Sequence, residues 1–204
     1  MTVPNALRAI LGRARAGTLS EEDQAMAMAL TRKRWTIEEL HSLPDDGNKY
    51  ELVRGELFVT PPPSQWHETV AARLSRVLTP FVEARGLGLV YHPRSVLQFA
   101  GSEVEPDLMV RRPPANPAEP WDAAPIPSLV VEVLSPTTRR RDHEQKRALY
   151  VDAGVPEYWL VDPERREVHV VHSGAPDRIV RDALSWTPAR AGPTLVIEIA
   201  GLFE

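Results

Sequence analysis

Residues 129–146 read LVVEVLSPTTRRRDHEQK. Leu129, Val130, Val131, Val133 and Leu134 make the β-branched, aliphatic run of a strand covered on both faces, yet Glu132 stands inside it. Burying an ionised carboxylate without a partner costs several kcal/mol, so Glu132 is expected to meet a cation, a metal or a polar cleft. Ser135 and Pro136 end the run. The charged segment from Arg139 to Lys146 then opens a helix, giving the order strand, embedded acid, break, basic helix.

A second acid lies upstream in VEPDLMV, residues 104–110, where Asp107 begins another apolar run and Pro106 suits the first residue of a strand. If the two runs are neighbouring strands, Asp107 and Glu132 can converge on one hard cation. Carboxylate oxygens are what Mg²⁺ prefers, and phosphate supplies further ligands.

The pattern of a Pro-Asp on one strand, a Glu on the next and a nearby Lys resembles the PD-(D/E)xK nuclease superfamily. The longer series YELVRGEL, PPPSQWH, VEPDLMV, VVEVLSPTT and DHEQKRALYVDAGVPEYWLVDP is similar to the Uma2 family of restriction-endonuclease-like proteins, from about Trp35 to the C-terminus. That resemblance implies an α/β (α+β) fold, with a mixed sheet flanked by helices. It also implies a Mg²⁺- or Mn²⁺-dependent endonuclease acting on DNA, with Asp107 and Glu132 as metal ligands. The superfamily's usual lysine stands two residues after the Glu, where this chain has Leu134. The resemblance therefore points to Lys146, on the following helix, as the catalytic cation. On spacing alone Lys146 could equally form a surface i,i+4 pair with Asp142.

Two further residues fall on family motifs. Glu51 matches the acid of the first, as an additional ligand or a solvent-facing hairpin residue, and His67 fits a phosphate contact, a general base or a helix-start cap. Arg139, Arg140 and Arg141 are candidates for backbone-phosphate binding that carries no sequence information. The rival from another class is a catalytically silent module that uses the same fold to bind nucleic acid or protein. Leu134 and the acidic balance favour it.

Composition sets the outer limits. The 204 residues are 43% hydrophobic and 25% charged, ordinary values for a globular chain, and the net charge of −4 argues against a broad non-specific DNA surface. The absence of cysteine excludes disulfides, thiolate zinc sites, iron–sulfur clusters and cysteine nucleophiles. No run approaches bilayer length and no signal-type segment is visible, so a cytoplasmic protein without a membrane role is expected. Cutting both strands of a duplex calls for two sites, which suggests a homodimer.

Residues 1–34 read as a helical extension ahead of a 35–204 restriction-endonuclease-like domain. Ala6, Leu7, Ile10 and Leu11 have helical spacing, and Ser20 can cap a second helix. Further on, Thr36 and Glu39 form a capping box, residues 50–60 form a hairpin around Arg54-Gly55, and Ser64 caps a helix with an apolar stripe from Val70 to Phe81. Strands are expected over 89–99, 104–110, 129–134, 157–161, 167–172 and 194–199, with a proline-rich loop over 112–127 and a helix over 142–152.

Overall fold

The computed structural model describes residues 10, 13, 20, 21, 23, 24, 33–116, 118–188 and 192–204. The chain divides into two compact units, Met1–Pro62 with Ala100–Val104, and Pro63–Phe99 with Glu105–Glu204.

In the first unit, α1 (Ile37–His41) starts at the Thr36 capping box, with Thr36 Oγ1 accepting from Glu39 N and the Glu39 carboxylate accepting from Thr36 N. The hairpin of β1 (Lys49–Val53) and β2 (Glu56–Thr60) pairs antiparallel from Lys49↔Thr60 to Val53↔Glu56. Its turn residues Arg54 and Gly55 have φ of 51° and 81°, the double positive φ of the tight turns that match strand twist. β5 (Ser102–Val104) pairs antiparallel with β1 through Leu52↔Glu103. Trp35, Leu40 and Leu52 close a small apolar cluster. The helical pair expected over residues 1–34 falls mostly outside the described residues. Within them, Ser20 Oγ accepts from Asp23 N at 3.1 Å, as a helix-capping serine should.

The second unit is organised by a six-stranded sheet in the order β10-β9-β8-β7-β6-β3. Its strands are β3 (Leu89–Tyr91), β6 (Leu108–Arg111), β7 (Leu129–Val133), β8 (Glu157–Asp162), β9 (Glu167–His172) and β10 (Arg178–Val180). β7 and β8 are parallel, while β3–β6, β6–β7, β8–β9 and β9–β10 are antiparallel, so the sheet is mixed as expected. A parallel pair needs a crossover. Here it is built from α3 (Arg139–Arg141), a π-helical turn over Asp142–Lys146, and α4 (Arg147–Asp152).

Alternation sorts the two faces. Leu108, Val110, Leu129, Val131, Val133, Trp159 and Val161 pack in one core with Val70, Leu74, Leu78, Phe81 and Val82 of α2 (Gln65–Ala84), whose first turn is capped by Ser64. The hairpin of β11 (Ala183–Trp186) and β12 (Leu195–Glu198) adds Leu184, Trp186 and Ile197 to that core. Met109, Val130, Glu132, Tyr158 and Leu160 occupy the alternate positions.

Several expected boundaries differ. The 89–99 run is broken into β3 and β4 (Leu97–Phe99), because Pro93 and the positive φ of Arg94, 73°, turn the chain between them. The 104–110 run breaks at Glu105 and Pro106, where proline cannot donate to a ladder, and β6 starts only at Leu108. β10 and β11 were not anticipated: RIV and ALSW are too short to show a period. The 112–127 segment is loop apart from a 3₁₀ turn at Trp121–Ala123. Among the described residues no helix is long and apolar enough to cross a membrane.

Candidate active site

The β6–β7 register pairs Leu108 with Val131 and Met109 with Val130, so carrying it one residue further sets Asp107 opposite Glu132. Opposed residues of neighbouring strands put their side chains on the same face. Both acids are buried, Asp107 at 5% and Glu132 at 2% exposure. Asp107 is held in place from two directions: its Oδ2 accepts from Val133 N at 2.8 Å and lies 3.0 Å from His67 Nε2. His67 reaches it from the first turn of α2, where its own backbone N–H donates to Ser64 Oγ at 3.2 Å.

Glu132 has met its cation. Lys146 Nζ donates to Glu132 Oε1 at 2.7 Å, and the Tyr150 hydroxyl donates to the same oxygen at 2.7 Å. Lys146 is completely buried, and Asp142 Oδ1 lies 3.9 Å from its ammonium. The Asp142–Lys146 pair, which spacing alone allowed at the surface, is thus an interior contact, and the ammonium sits between two carboxylates. The π turn accounts for the aim: its i→i+5 bonding widens one turn of the crossover helix, and such turns recur at functional sites. Tyr158 secures it from the sheet by donating to the Asp142 carbonyl at 3.2 Å, and its ring meets that of Tyr150 edge-on at 4.8 Å.

Tyr150 and the buried side of Asp142 are the residues that sequence reasoning missed as site members. The available signal was the i,i+4 spacing of Lys146 and Tyr150, which places ammonium and phenol on one helix face. Tyr150→Phe keeps the ring and deletes only the donor to a buried carboxylate. It is expected to cost about 1.5–3 kcal/mol, measured by urea denaturation.

Glu51 is a fully buried residue of β1 in the first unit, 4.0 Å from Lys49 Nζ, which corrects the solvent-facing alternative. Arg139 forks onto Asp162 and also donates to Glu164 at 2.8 Å. Arg140, highly exposed, pairs with Glu144 at 3.1 Å, and Arg141 lies 3.5 Å from Asp142. Of the three, Arg140 presents its guanidinium most openly to solvent. Leu134, at the superfamily's lysine position, is buried and donates its N–H to Val161 O at 2.8 Å.

For a hard divalent cation the donor set fits in part. Asp107 and Glu132 offer carboxylate oxygens, but among the described residues no group of three His, Cys, Asp or Glu side chains could hold a metal ion. A two-carboxylate site suits Mg²⁺, which keeps several waters and takes phosphate oxygens in place of a full protein cage.

Comparison with known proteins bears on the fold and the family. The Uma2 model, described as "Putative restriction endonuclease", matches residues 37–200. A crystal structure from Anabaena variabilis, described as a putative nuclease belonging to DUF820, superposes with a TM-score of 0.70 at 20% identity, covering 83% of this chain and 97% of that one. No curated protein matches.

Proposed function

This chain belongs to the Uma2 family, and from that premise we propose that it is a Mg²⁺-dependent (or Mn²⁺-dependent) endonuclease that hydrolyses DNA phosphodiester bonds. The observation that carries the reading is the convergence of Lys146 on Glu132 at 2.7 Å, with the Asp107 carboxylate accepting from the N–H of Val133, the residue after Glu132, at 2.8 Å. It supports a displaced form of the superfamily's acid–acid–lysine arrangement, in which the cation arrives from the crossover helix instead of the strand.

Asp107 and Glu132 would hold the metal, which when bound supplies an activated water and offsets phosphate charge. His67 fixes the rotamer of Asp107, and Tyr150 fixes that of Glu132. Lys146 would donate to the phosphoryl oxygen on which charge builds, the role in which a preorganised donor is most effective. Glu51 and the arginines 139–141 enter this reading only as auxiliary groups, Arg140 as the most exposed phosphate contact. A homodimer would bring two such sites to one duplex, and light scattering on the eluting protein tests that mass.

A second reading, a catalytically silent module binding nucleic acid or protein, is favoured by one feature: the Lys146 ammonium is wholly buried and already bonded to Glu132. Calorimetric titration separates the two. The wild type is expected to take up Mg²⁺ or Mn²⁺ and the Asp107→Asn, Glu132→Gln double variant to take up none. Equal uptake by both proteins removes the site as drawn. Metal uptake without cleavage of any single- or double-stranded DNA selects the silent module.

A further inference from the structure

Arg111 ends β6, four residues from Asp107 and so about 13 Å along the strand from the candidate catalytic acids. It is 2% exposed, and among the described residues no carboxylate lies within ion-pair distance of it. Its guanidinium is instead held between two rings, 4.8 Å from the Tyr91 centroid and 4.9 Å from that of Trp121. Nη1 donates to the Val96 carbonyl at 3.3 Å, and Nε finds no hydrogen-bond partner among the described residues. Burial lowers its pKa, and the charge and hydrogen bond of the Tyr91 side chain offset that only in part.

The main chain that carries this residue is closely packed. Gly88, at φ +134°, lies so close to the Arg111 carbonyl that a Cβ there would collide with it. Arg111 helps line a cavity of about 430 Å³ with Tyr91, Pro113, Pro114, Glu119 and Trp121. That volume lies in the range of small-ligand sites. The proline-rich loop that looked like plain linker in the sequence forms one wall. Trp121 is 39% exposed, so part of its indole remains open for a further planar group.

We propose that this cavity binds a nucleotide, its phosphate toward Arg111, its base against Trp121 and a base amino group toward the Glu119 carboxylate. The chemistry discriminates in three ways. Arg111 supplies the buried cation that an anion would neutralise, the exposed indole offers the sequence-tolerant stacking surface that bases use, and Glu119 repels phosphate while accepting from an exocyclic amine. The ligand's source is either a free mononucleotide or one nucleotide of a single strand. The site does not depend on the cleavage reading, since none of its residues belongs to the Asp107–Glu132–Lys146 group.

Calorimetry with the full chain tests it, using cytidine 5′-monophosphate, a short deoxycytidine oligonucleotide and inorganic phosphate as probes. Saturable binding of the mononucleotide or the oligonucleotide is expected, weakened by about tenfold or more in Trp121→Ala, the scale of one lost base stack. Comparable affinity for both nucleotide probes identifies a free nucleotide as the source, and binding of the oligonucleotide alone identifies a strand. Arg111→Gln should abolish binding. Because a buried position can unfold on substitution, the exposed Trp121→Ala and Glu119→Gln variants carry the decision, with Glu119→Gln expected to weaken the cytidine probe while leaving inorganic phosphate bound at least as tightly, since a like charge is removed. No binding of either nucleotide at millimolar concentration overturns the proposal, as does equal affinity in wild type, Trp121→Ala and Glu119→Gln.

Discussion

Lys146→Ala is expected to cut cleavage turnover by roughly a hundredfold or more, the scale on which removal of one electrostatic donor acts. It is also expected to lower stability by about 3–5 kcal/mol, because Glu132 would be left buried with its Tyr150 bond but without its counter-charge. The two effects separate when turnover is measured well below the variant's melting temperature, with the folded fraction fixed by circular dichroism. Lys146→Met fills most of the space and should destabilise less than alanine while losing as much turnover. Lys146→Arg should not restore activity fully, since a planar fork is wider than the compact ammonium that fits between Glu132 and Asp142. Metal affinity should not fall in any of these variants: lysine is not a ligand, and its removal relieves competition for Glu132 Oε1. Unchanged turnover in Lys146→Ala would end the catalytic assignment. A surface pair with Asp142 would have predicted a few tenths of a kcal/mol, which the complete burial of Lys146 already makes untenable.

Arg139→Ala is expected to act on stability far more than on phosphate. The Asp162 carboxylate is fully buried at the end of β8, whereas solvent still reaches a quarter of the Arg139 side chain. Burial pushes the Asp162 carboxyl up, but Arg139 and the backbone N–H groups of Arg165 and Glu164 outweigh that and hold it below the usual range. Losing the guanidinium should cost about 2–3 kcal/mol, less than a fully buried pair because those N–H donors stay behind. A carboxylate whose folded pKa is depressed contributes stability above its unfolded pKa and loses it as pH falls through the folded value. The gap between wild type and Arg139→Ala in urea denaturation should therefore be widest near neutral pH and close in acid. Arg140→Ala, at the exposed pair with Glu144, should change stability by no more than a few tenths of a kcal/mol. A variant Arg139→Ala with wild-type stability and much weakened DNA binding would instead make phosphate contact the main role of Arg139.

What the chain alone determined is local. Thr36 and Glu39 cap α1, Ser64 caps α2, and Arg54-Gly55 turns the hairpin, because each depends on residues within a few positions of one another. The apolar run of β7 with one acid inside it was equally legible, and so was the demand it makes: a carboxylate in that setting requires a cation. Which cation answers it is not local information. Lys146 is fourteen residues away and reaches Glu132 only because the crossover helix widens into a π turn at Asp142–Lys146 while Tyr158 of the neighbouring strand holds that turn. Likewise, three consecutive arginines look alike in sequence, and only the docking of the crossover against the end of β8 commits Arg139 to Asp162 and leaves Arg140 in solvent. Period and capping are written in neighbouring residues, whereas the pairing of buried charges is decided by packing, since the cost of desolvation exists only once the chain has closed around them.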